Sequence, residues 1–337
     1  MKSRFAVYFT CALQFSLAGP PGMGAAPAQG QEAAATPASA DETAWRQELA
    51  AWRAQRENQV SAPDGWLTLV GLEWLQPGFN SFGAAADNKI QVHAQAPDHI
   101  GLLTVSGRQA SIKSASAKRT PGAPIIQLLA PAGGFPPDLT VDGGPAREGQ
   151  LTSTEAKSPI IAWHGLTLAV LLRGDRFALR IKDTDAPART AFHGLNWYAP
   201  DPRFRVTARW IPFDPPRIEK IPTGLGSTLD LPAPGIAEFT LEGKTLRLEP
   251  VIEDREGKTL FFILRDATSQ STTYGTARFL HTGLPDRGLG QPGTLTLDFN
   301  RLENPACAYT PYANCPQPPE QNRLPVALEA GEQLYAH

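Results

Sequence analysis

The stretch Ile236–Ile252, IAEFTLEGKTLRLEPVI, contains two short runs in which apolar and polar residues alternate, and Glu242-Gly243 separates them. Alternation with a period of two is typical of a β-strand that buries one face. Glycine tolerates the positive φ that a tight hairpin turn requires. The stretch therefore predicts a β-hairpin, and the same reasoning predicts turns at Asp142-Gly143 and Glu256-Gly257.

Short apolar or alternating runs continue from Trp66 to Phe299, with turn residues between them, and one of these predicted strands is Ala110–Lys113. Their spacing of about 8 to 12 residues indicates a sandwich or barrel rather than alternating strands and helices. The 32 prolines, 30 glycines and 19% charged residues among 337 also favour a turn-rich β protein. We predict an all-β, mainly antiparallel sandwich or barrel over residues 59–337, with a division into two lobes near residue 200 as an alternative.

One amphipathic helix is predicted before the strands, over residues 41–58. Ser39 and Glu42 form a capping-box pattern at its start. Trp45, Leu49 and Trp52 recur on one face of the helix. We expect this face to pack against the β domain that follows.

The N-terminus has the pattern of a secretory signal peptide. Lys2 and Arg4 precede the apolar run Phe5–Leu17, and small residues follow it. We expect residues 1–28 to be the signal peptide and residues 29–40 to be a linker. The mature chain, beginning between Gly19 and Gln31, is then expected to be periplasmic or secreted.

Cleavage at that site leaves Cys307 and Cys315 of the three cysteines. An even number in an exported chain favours a disulfide, and closing so short a loop is expected to stabilise the fold by about 2 to 3 kcal/mol. A redox-active pair is the alternative, although seven residues intervene where a Cys-x-x-Cys motif has two. A zinc site is a further alternative, although no histidine lies close by in the sequence.

The segment Leu297–Glu332, LDFNRLENPACAYTPYANCPQPPEQNRLPVALEAGE, combines prolines with many polar side chains, which indicates an ordered loop. Its motifs resemble the end signature of a bacterial family known as domain of unknown function 1684: Asp298-Phe299-Asn300-Arg301, Asn304-Pro305, Cys307-Ala308-Tyr309-Thr310-Pro311-Tyr312-Ala313, Cys315-Pro316 and Asn322-Arg323-Leu324. Two earlier segments are also similar to that family: Asp64–Leu72, and Thr272-Thr273-Tyr274-Gly275 with Arg278-Phe279-Leu280. The resemblance implies a shared fold and a shared site, and it implies no activity.

Polar side chains of this end loop and of the preceding segment are candidates for a ligand-binding site. They are Tyr274, Arg278, Asp298, Asn300, Arg301, Asn304 and Arg323. The glycine- and proline-rich link between Arg278 and Asp298 predicts a reversal that brings these two residues within salt-bridge reach, beside one pocket. Such a pocket would bind a carboxylate, a phosphate or a sugar. The alternative is that the acids and amides cap loop backbone while the arginines form ion pairs.

Two other groups have simpler structural interpretations. Asp183-Thr184-Asp185, with Arg189 and His193 nearby, has the residue types of a metal or acid–base site, but this pattern after a strand is typical of a solvated turn. Trp66 and Trp74 have the rings to stack on a sugar or a flavin, but tryptophan in a β protein is usually part of the core.

Three common catalytic or cofactor-binding motifs are absent from the chain: His-Glu-x-x-His, Gly-x-Ser-x-Gly and a Walker-type loop. The sequence therefore indicates no particular cofactor or metal. A net charge of -2 gives no indication of a nucleic acid or an anionic membrane as partner. The apolar run at the N-terminus is also too short to span a membrane.

Three functions remain consistent with the sequence. The first is a periplasmic or secreted β protein that binds a small polar or anionic ligand beneath the C-terminal loop. The second is a cell-envelope hydrolase with Asp298 as acid or base and Arg278 or Arg301 as charge stabiliser. The third is a protein-interaction or structural module.

Overall fold

The structure, a computed structural model, describes residues 39–107, 125–154, 156–173, 176–224, 226–254 and 256–336. The chain divides into two units, Met1–Ser39 and Ala40–His337, and every element below belongs to the second unit. The predicted signal peptide, residues 29–38 of the predicted linker and the predicted strand Ala110–Lys113 lie outside the described residues.

The predicted N-terminal helix is present as α1, Ala40–Ser61. Asp41 and Glu42 lie in its first turn, where carboxylates interact favourably with the positive end of the helix dipole. Trp45 and Leu49 are buried, as the apolar stripe predicts, but Arg56 is buried beside them. An arginine on the buried face means that this helix docks through charge as well as through apolar contact.

The described residues of the first part of the β region form eleven strands: β1 Leu69–Trp74, β2 Gly78–Gly83, β3 Ile90–Gln91, β4 Gly101–Ser106, β5 Ile125–Leu129, β6 Thr140–Val141, β7 Gly144–Pro145, β8 Gly149–Leu151, β9 Ile160–Trp163, β10 Leu166–Arg173 and β11 Arg176–Asp183. They form a six-stranded sheet in the order β1-β11-β10-β9-β6-β7 and a five-stranded sheet in the order β3-β2-β4-β5-β8. The pairing of β2 with β3 is parallel, and the other pairings are antiparallel.

These two sheets share one apolar core. Phe82 and Leu103 from the five-stranded sheet are fully buried in the same cluster as Ile161, Leu168 and Leu179 from the six-stranded sheet. Two sheets whose inner faces interdigitate in this way form a sandwich.

The second part contains a single helical turn, α2 Pro187–Thr190, and six strands: β12 Arg205–Pro222, β13 Thr228–Leu241, β14 Lys244–Leu248, β15 Leu260–Leu264, β16 Arg278–Thr282 and β17 Gly293–Asp298. The strands form a four-stranded sheet, β14-β13-β12-β17, and a two-stranded sheet, β15-β16. Trp210 and Phe239 of the larger sheet and Phe262 of the smaller one share a core with Leu328 and Ala330 of the C-terminal segment.

The predicted all-β fold is confirmed as sandwich-like layers of mainly antiparallel sheets, and none of the described sheets closes into a barrel. The hairpin at Glu242-Gly243 joins β13 to β14, and Asp142-Gly143 joins β6 to β7, with positive φ at all four residues. Two of the short runs of the sequence, Phe204–Ile211 and Ile218–Thr223, which alone would predict two strands, belong to one long strand, β12. Its pairing with β13 shifts register between Pro212 and Arg217, so the prolines produce an irregularity rather than a break.

The C-terminal segment after β17 is the predicted proline-rich loop, with 3₁₀ turns at Phe299–Arg301, Ala306–Ala308 and Glu320–Asn322. Cys307 and Cys315 form a disulfide in it, with their Cα atoms 6.2 Å apart. Among the helices of the described ranges, none has the length and apolar character that crossing a membrane requires.

Candidate functional site

Three of the predicted ligand-binding residues, Asp298, Asn300 and Arg301, lie where α1 docks. The Asp298 carboxylate accepts a hydrogen bond of 2.7 Å from the Trp45 indole, and its other oxygen accepts from the backbone and side chain of Asn300 at 3.1 and 3.0 Å. The Asn300 amide also pairs with both backbone groups of Asp201 at 2.9 Å. The Arg301 guanidinium lies 3.7 Å from Asp298. These side chains hold the helix and the loop backbone in place.

Asn304 belongs to a second polar cluster, which is centred on Arg56 of α1. The Arg56 Nε donates to Glu332 at 2.8 Å and lies 3.3 Å from Glu303, while its Nη2 donates to the carbonyl of Asn304 at 2.8 Å. The second oxygen of Glu332 accepts from the Asn304 backbone at 2.8 Å and from the Tyr309 hydroxyl at 2.6 Å. Both oxygens of this buried carboxylate are therefore occupied by protein donors.

Burial changes the acidity of this Arg56 cluster. It raises the pKa of Glu332, although Arg56 and the Tyr309 hydroxyl counteract it, and it raises the pKa of Tyr309 well above its usual value. Burial alone would also raise the pKa of Glu303, but the hydrogen bond from His281 and the charge of Arg56 lower it below its usual value. His281 Nδ1 lies 3.1 Å from Glu303, so the cluster extends from the interior to an exposed imidazole.

Arg278 is fully buried and forms a third polar centre. Its Nη1 lies 3.0 Å from an oxygen of Asp266 and donates to the carbonyl of Leu328 at 2.8 Å, and its Nη2 donates to the carbonyl of Ala330. The other Asp266 oxygen accepts from the backbone and hydroxyl of Thr268 at 2.8 and 2.6 Å. Arg278 thus connects the C-terminal segment to the turn that follows β15.

The predicted ion pair between Arg278 and Asp298 is not formed, because Arg278 pairs with Asp266 instead. The reversal between the two residues exists, but it does not place the strands side by side. β16 pairs with β15, whereas β17 pairs with β12, so the two strands belong to different sheets.

The two remaining predicted residues, Tyr274 and Arg323, line a single cavity of about 370 Å³, which we call the end-loop cavity. Its lining combines the turn after β15 with the proline-rich loop: Arg265, Gln270, Tyr274, Gly275, Thr276, Gln317, Pro318 and Arg323. The two segments are joined by backbone pairing, since Arg265 N donates to the carbonyl of Asn322 at 3.1 Å and Leu324 N donates to the carbonyl of Arg265 at 2.7 Å. The C-terminal loop and the turn after β15 therefore line one cavity, which includes Tyr274 and Arg323 but not the other five predicted residues.

Buried amide and hydroxyl groups fix the walls of the end-loop cavity. The Asn322 side chain is bonded to both backbone groups of Glu249 at 2.8 and 2.9 Å and to the carbonyl of Ile263 at 3.0 Å. The Tyr274 hydroxyl donates to the carbonyl of Cys307 at 3.0 Å, next to the disulfide. A cavity whose walls are held by saturated polar groups is largely formed before a ligand arrives.

The charge lining the end-loop cavity is positive. Arg265 is half-buried, and its side chain forms no hydrogen bond or ion pair with any residue in the part of the chain that the structure describes. Arg323 is more exposed and lies 3.2 Å from Glu320 at the surface. No aspartate or glutamate is among the described lining residues. The cavity can therefore offer guanidinium and amide donors to an anion.

Sequence reasoning missed Arg265, Gln270 and Gln317. Arg265 ends a short apolar run and carries no motif, and Gln317 lies outside the motifs that carry the family resemblance. Gln270 has a φ of 75°, which is uncommon for a residue other than glycine and marks the turn as constrained. No signal in the sequence places these three side chains together, because the pairing of Arg265 with Arg323 spans a long loop.

Of the other candidate groups, the aspartate pair adopts the expected turn, whereas Trp66 is exposed rather than part of the core. The Asp183 carboxylate accepts from the backbone of Asp185 at 2.9 Å, which makes Asp183-Thr184-Asp185 a turn before α2. Trp74 packs with Arg176, whose guanidinium lies 4.3 Å from the ring centre. Within the described ranges, no three His, Cys, Asp or Glu side chains are arranged to hold a metal ion.

Residues 190–333, which include every residue of the end-loop cavity, match the family model described as "Protein of unknown function (DUF1684)". The solution NMR structure of an uncharacterized protein from Haloarcula marismortui is 33% identical to this chain, over 43% of this chain and 78% of that one, with a TM-score of 0.37. No curated protein matches the chain. Through residues 190–333, the chain belongs to the DUF1684 family of unknown function.

Proposed function

We propose that this protein binds a small anionic ligand in the end-loop cavity. The observation that carries the proposal is Arg265, a partly buried residue whose side chain has no protein partner in the described ranges while it lines a preformed polar cavity. No described group occupies the N–H donors of its guanidinium, so they are open to the acceptor oxygens of a ligand. A bound carboxylate or phosphate would satisfy it.

The chemistry of the lining supports an anion over other ligands. Arg265 and Arg323 supply planar forks of N–H donors that match the oxygens of a carboxylate or a phosphate. Gln270 and Gln317 add amide groups that can donate to the same oxygens or orient the rest of the ligand. A volume of about 370 Å³ suits a small metabolite better than a polymer.

The hydrolase hypothesis gains no support from this cavity. Its acid or base was Asp298, which lies at the α1 contact and accepts hydrogen bonds from Trp45 and Asn300. The carboxylate whose pKa burial raises is Glu332, and both of its oxygens are occupied. General acid–base chemistry needs a carboxyl group that reaches the substrate.

The proposal is tested by calorimetric titration of the purified protein with inorganic phosphate, sulfate, succinate and citrate. We expect at least one of these anions to bind, and Arg265→Gln to weaken that binding by about 10- to 100-fold, as expected for the loss of one charge-assisted contact. Arg323→Gln should weaken it less, because its guanidinium is more exposed and already pairs with Glu320.

Arg287→Gln is the matched control, since Arg287 is exposed and does not line the cavity. Equal binding by the Arg265 and Arg287 variants would reject the site. Native mass spectrometry of protein purified from its own host provides an independent check. A retained neutral molecule or cation, displaced by neither phosphate nor succinate, would contradict the anionic assignment.

We further propose that the protein is exported and works in the periplasm or outside the cell. The support is the charged and apolar pattern from Lys2 to Leu17 and the pairing of Cys307 with Cys315, because disulfides persist mainly in oxidising compartments. N-terminal sequencing of the cell-envelope fraction should find a first residue between Gly19 and Gln31. A cytoplasmic protein that retains Met1 would refute export.

A further inference from the structure

A second cavity lies in the first sandwich, outside residues 190–333. It has a volume of about 670 Å³ and opens between the five-stranded sheet and the turn that joins β9 to β10. We call it the sandwich cavity. It is lined by Ser81, Asn88, Pro97, Asp98, His99, Gly101, Leu102, Pro131, Ala132, Gly133, Gly134, Phe135, Pro136, Pro137, Asp138, Trp163 and His164.

Aromatic rings form one wall of the sandwich cavity. Trp163 is half-buried, and its indole N–H donates to the carbonyl of Pro137 at 3.1 Å, which fixes the ring against the proline-rich loop. The His164 ring meets the Trp163 ring edge-on, with centroids 4.2 Å apart. Phe135, also half-buried, comes from the same loop as Pro137. A ring held on its polar edge and packed on one side is a rigid platform for a ligand.

The backbone around this wall is constrained. Five non-glycine residues of the described ranges have positive φ, and two of them, Asp138 and His164, line the sandwich cavity with φ of 66° and 49°. His164, like Asp142 and Glu242, lies in a two-residue hairpin turn, whereas Asp138 lies in the proline-rich loop that lines the cavity. Sparsely populated backbone conformations persist where the surrounding structure enforces them, and they are frequent at ligand sites.

The opposite wall carries polar groups, of which Asn88 is held by hydrogen bonds. The Asn88 amide donates to the carbonyls of Ala85 and Asp98 at 2.9 and 2.7 Å, which leaves its oxygen directed to His99, whose Nδ1 lies 3.4 Å away. Asp98 adds an exposed carboxylate and Ser81 a hydroxyl, and Asp138 adds a second exposed carboxylate from the proline-rich loop. The described lining contains no lysine and no arginine. These groups both donate and accept hydrogen bonds, and the carboxylates disfavour an anion.

From this arrangement we propose that the sandwich cavity is a binding site for a neutral saccharide. A sugar ring presents C–H groups on its face, which pack on an aromatic platform, and hydroxyls on its edge, which both donate and accept. In the cavity, Trp163 provides the aromatic platform, and Asn88, Asp98 and His99 provide hydrogen-bonding groups for the hydroxyls. A volume of about 670 Å³ accommodates one or two sugar rings.

The test is a screen of the intact protein against an array of neutral glycans, followed by saturation-transfer NMR with the best of them and with glucose, N-acetylglucosamine and cellobiose. We expect binding, with Trp163→Ala weakening it by about tenfold or more and Trp163→Phe retaining most of it, because phenylalanine keeps a ring. Phe79→Ala is the matched aromatic control, since Phe79 is 65% exposed on β2 and does not line the cavity.

Trp163 packs against the sandwich core, so the thermal midpoint of Trp163→Ala is measured to check that this variant folds. A second variant, Asp98→Ala, changes an exposed side chain of the cavity. Loss of binding in a folded Asp98→Ala protein would support the site if Trp163→Ala fails to fold. No binding to any neutral glycan at millimolar concentration would overturn the proposal. So would binding that survives both variants, or binding of an organic cation such as choline in preference to every sugar.

Discussion

Burial determines what each charged side chain of the C-terminal segment does. Arg278 is fully buried and paired, so it organises the turn at Asp266 and the carbonyls of Leu328 and Ala330. Burial lowers the pKa of its guanidinium, and Asp266 counteracts that effect. Arg265 is only partly buried, its side chain pairs with no described residue, and it lies where a ligand can reach it. The same residue type therefore supports the fold at one position and faces the cavity at the other.

The difference in burial between Arg278 and Arg323 predicts different effects on stability. Arg278→Met should lower the free energy of unfolding by about 3 to 5 kcal/mol, because it leaves the Asp266 carboxylate buried without its cation. Arg323→Ala should change it by less than about 0.5 kcal/mol, since that side chain is at the surface. Urea denaturation of the two variants measures both effects. A stable Arg278→Met protein would mean that the buried pair contributes little to folding.

At the scale of elements, α1 is tied to the C-terminal segment by polar contacts. Trp45 bonds to Asp298, and Arg56 bonds to Glu332 and Asn304, across more than two hundred residues of sequence. Such contacts explain why a helix of low overall hydrophobicity docks stably. They also make its docking sensitive to the protonation of the acids that face Arg56.

We expect the contribution of Glu303 to stability to depend on pH. Its pKa is lower in the folded protein than its ordinary value of 4.5, so the unfolded chain binds the proton more tightly. The stabilisation is therefore present above pH 4.5 and is lost as the pH falls through the lowered value. Glu303→Gln should accordingly be less stable than the original protein at pH 7, and the difference should shrink in acid.

Chemical denaturation of both proteins between pH 3 and pH 7 provides the measurement. Glu329→Gln is the control, because Glu329 is exposed in the same segment. A difference between the Glu303→Gln and original proteins that stays constant over this range, or grows in acid, would contradict the assignment.

Local signals predicted the local elements and could not predict how they assemble. The hairpin at Glu242-Gly243 follows from alternation and a turn residue, both contained in a few positions. The pairing of β17 with β12 joins Asp298 to Arg205, and no periodicity encodes a partner so far away. For the same reason the sequence identified the end loop as part of a concave site but placed Arg278 in it. The actual lining residue, Arg265, follows from a pairing seen only in the fold.

At the scale of the whole molecule, helix α1 packs against the C-terminal segment. α1 precedes the first sandwich in sequence, yet Trp45, Arg53 and Arg56 contact residues between Tyr198 and Glu332. The family match begins at residue 190 and therefore omits a helix that the matched region uses. Each β part carries its own cavity, which gives the protein two distinct candidate sites.

Removal of α1 should therefore damage the part of the chain that matches the family. In a chain of residues 62–337, Glu332, which is 1% exposed in the intact protein, loses its cation, and Asp298 loses its indole donor. An uncompensated buried carboxylate is strongly destabilising, so we expect this chain to unfold at a much lower temperature than residues 39–337, or to be insoluble. A synthetic peptide of residues 39–61 should raise the melting temperature in a concentration-dependent manner, because it binds only the folded form.

The same peptide with Arg56→Gln is the matched control for that rescue. It keeps the apolar stripe of Trp45 and Leu49 but lacks the cation that faces Glu332 and Glu303. If polar contacts dominate docking, the control peptide should rescue far less at equal concentration. Equal rescue by both peptides would show that the apolar stripe alone docks the helix. Equal melting temperatures for residues 62–337 and 39–337 would show that the β region is stable without α1.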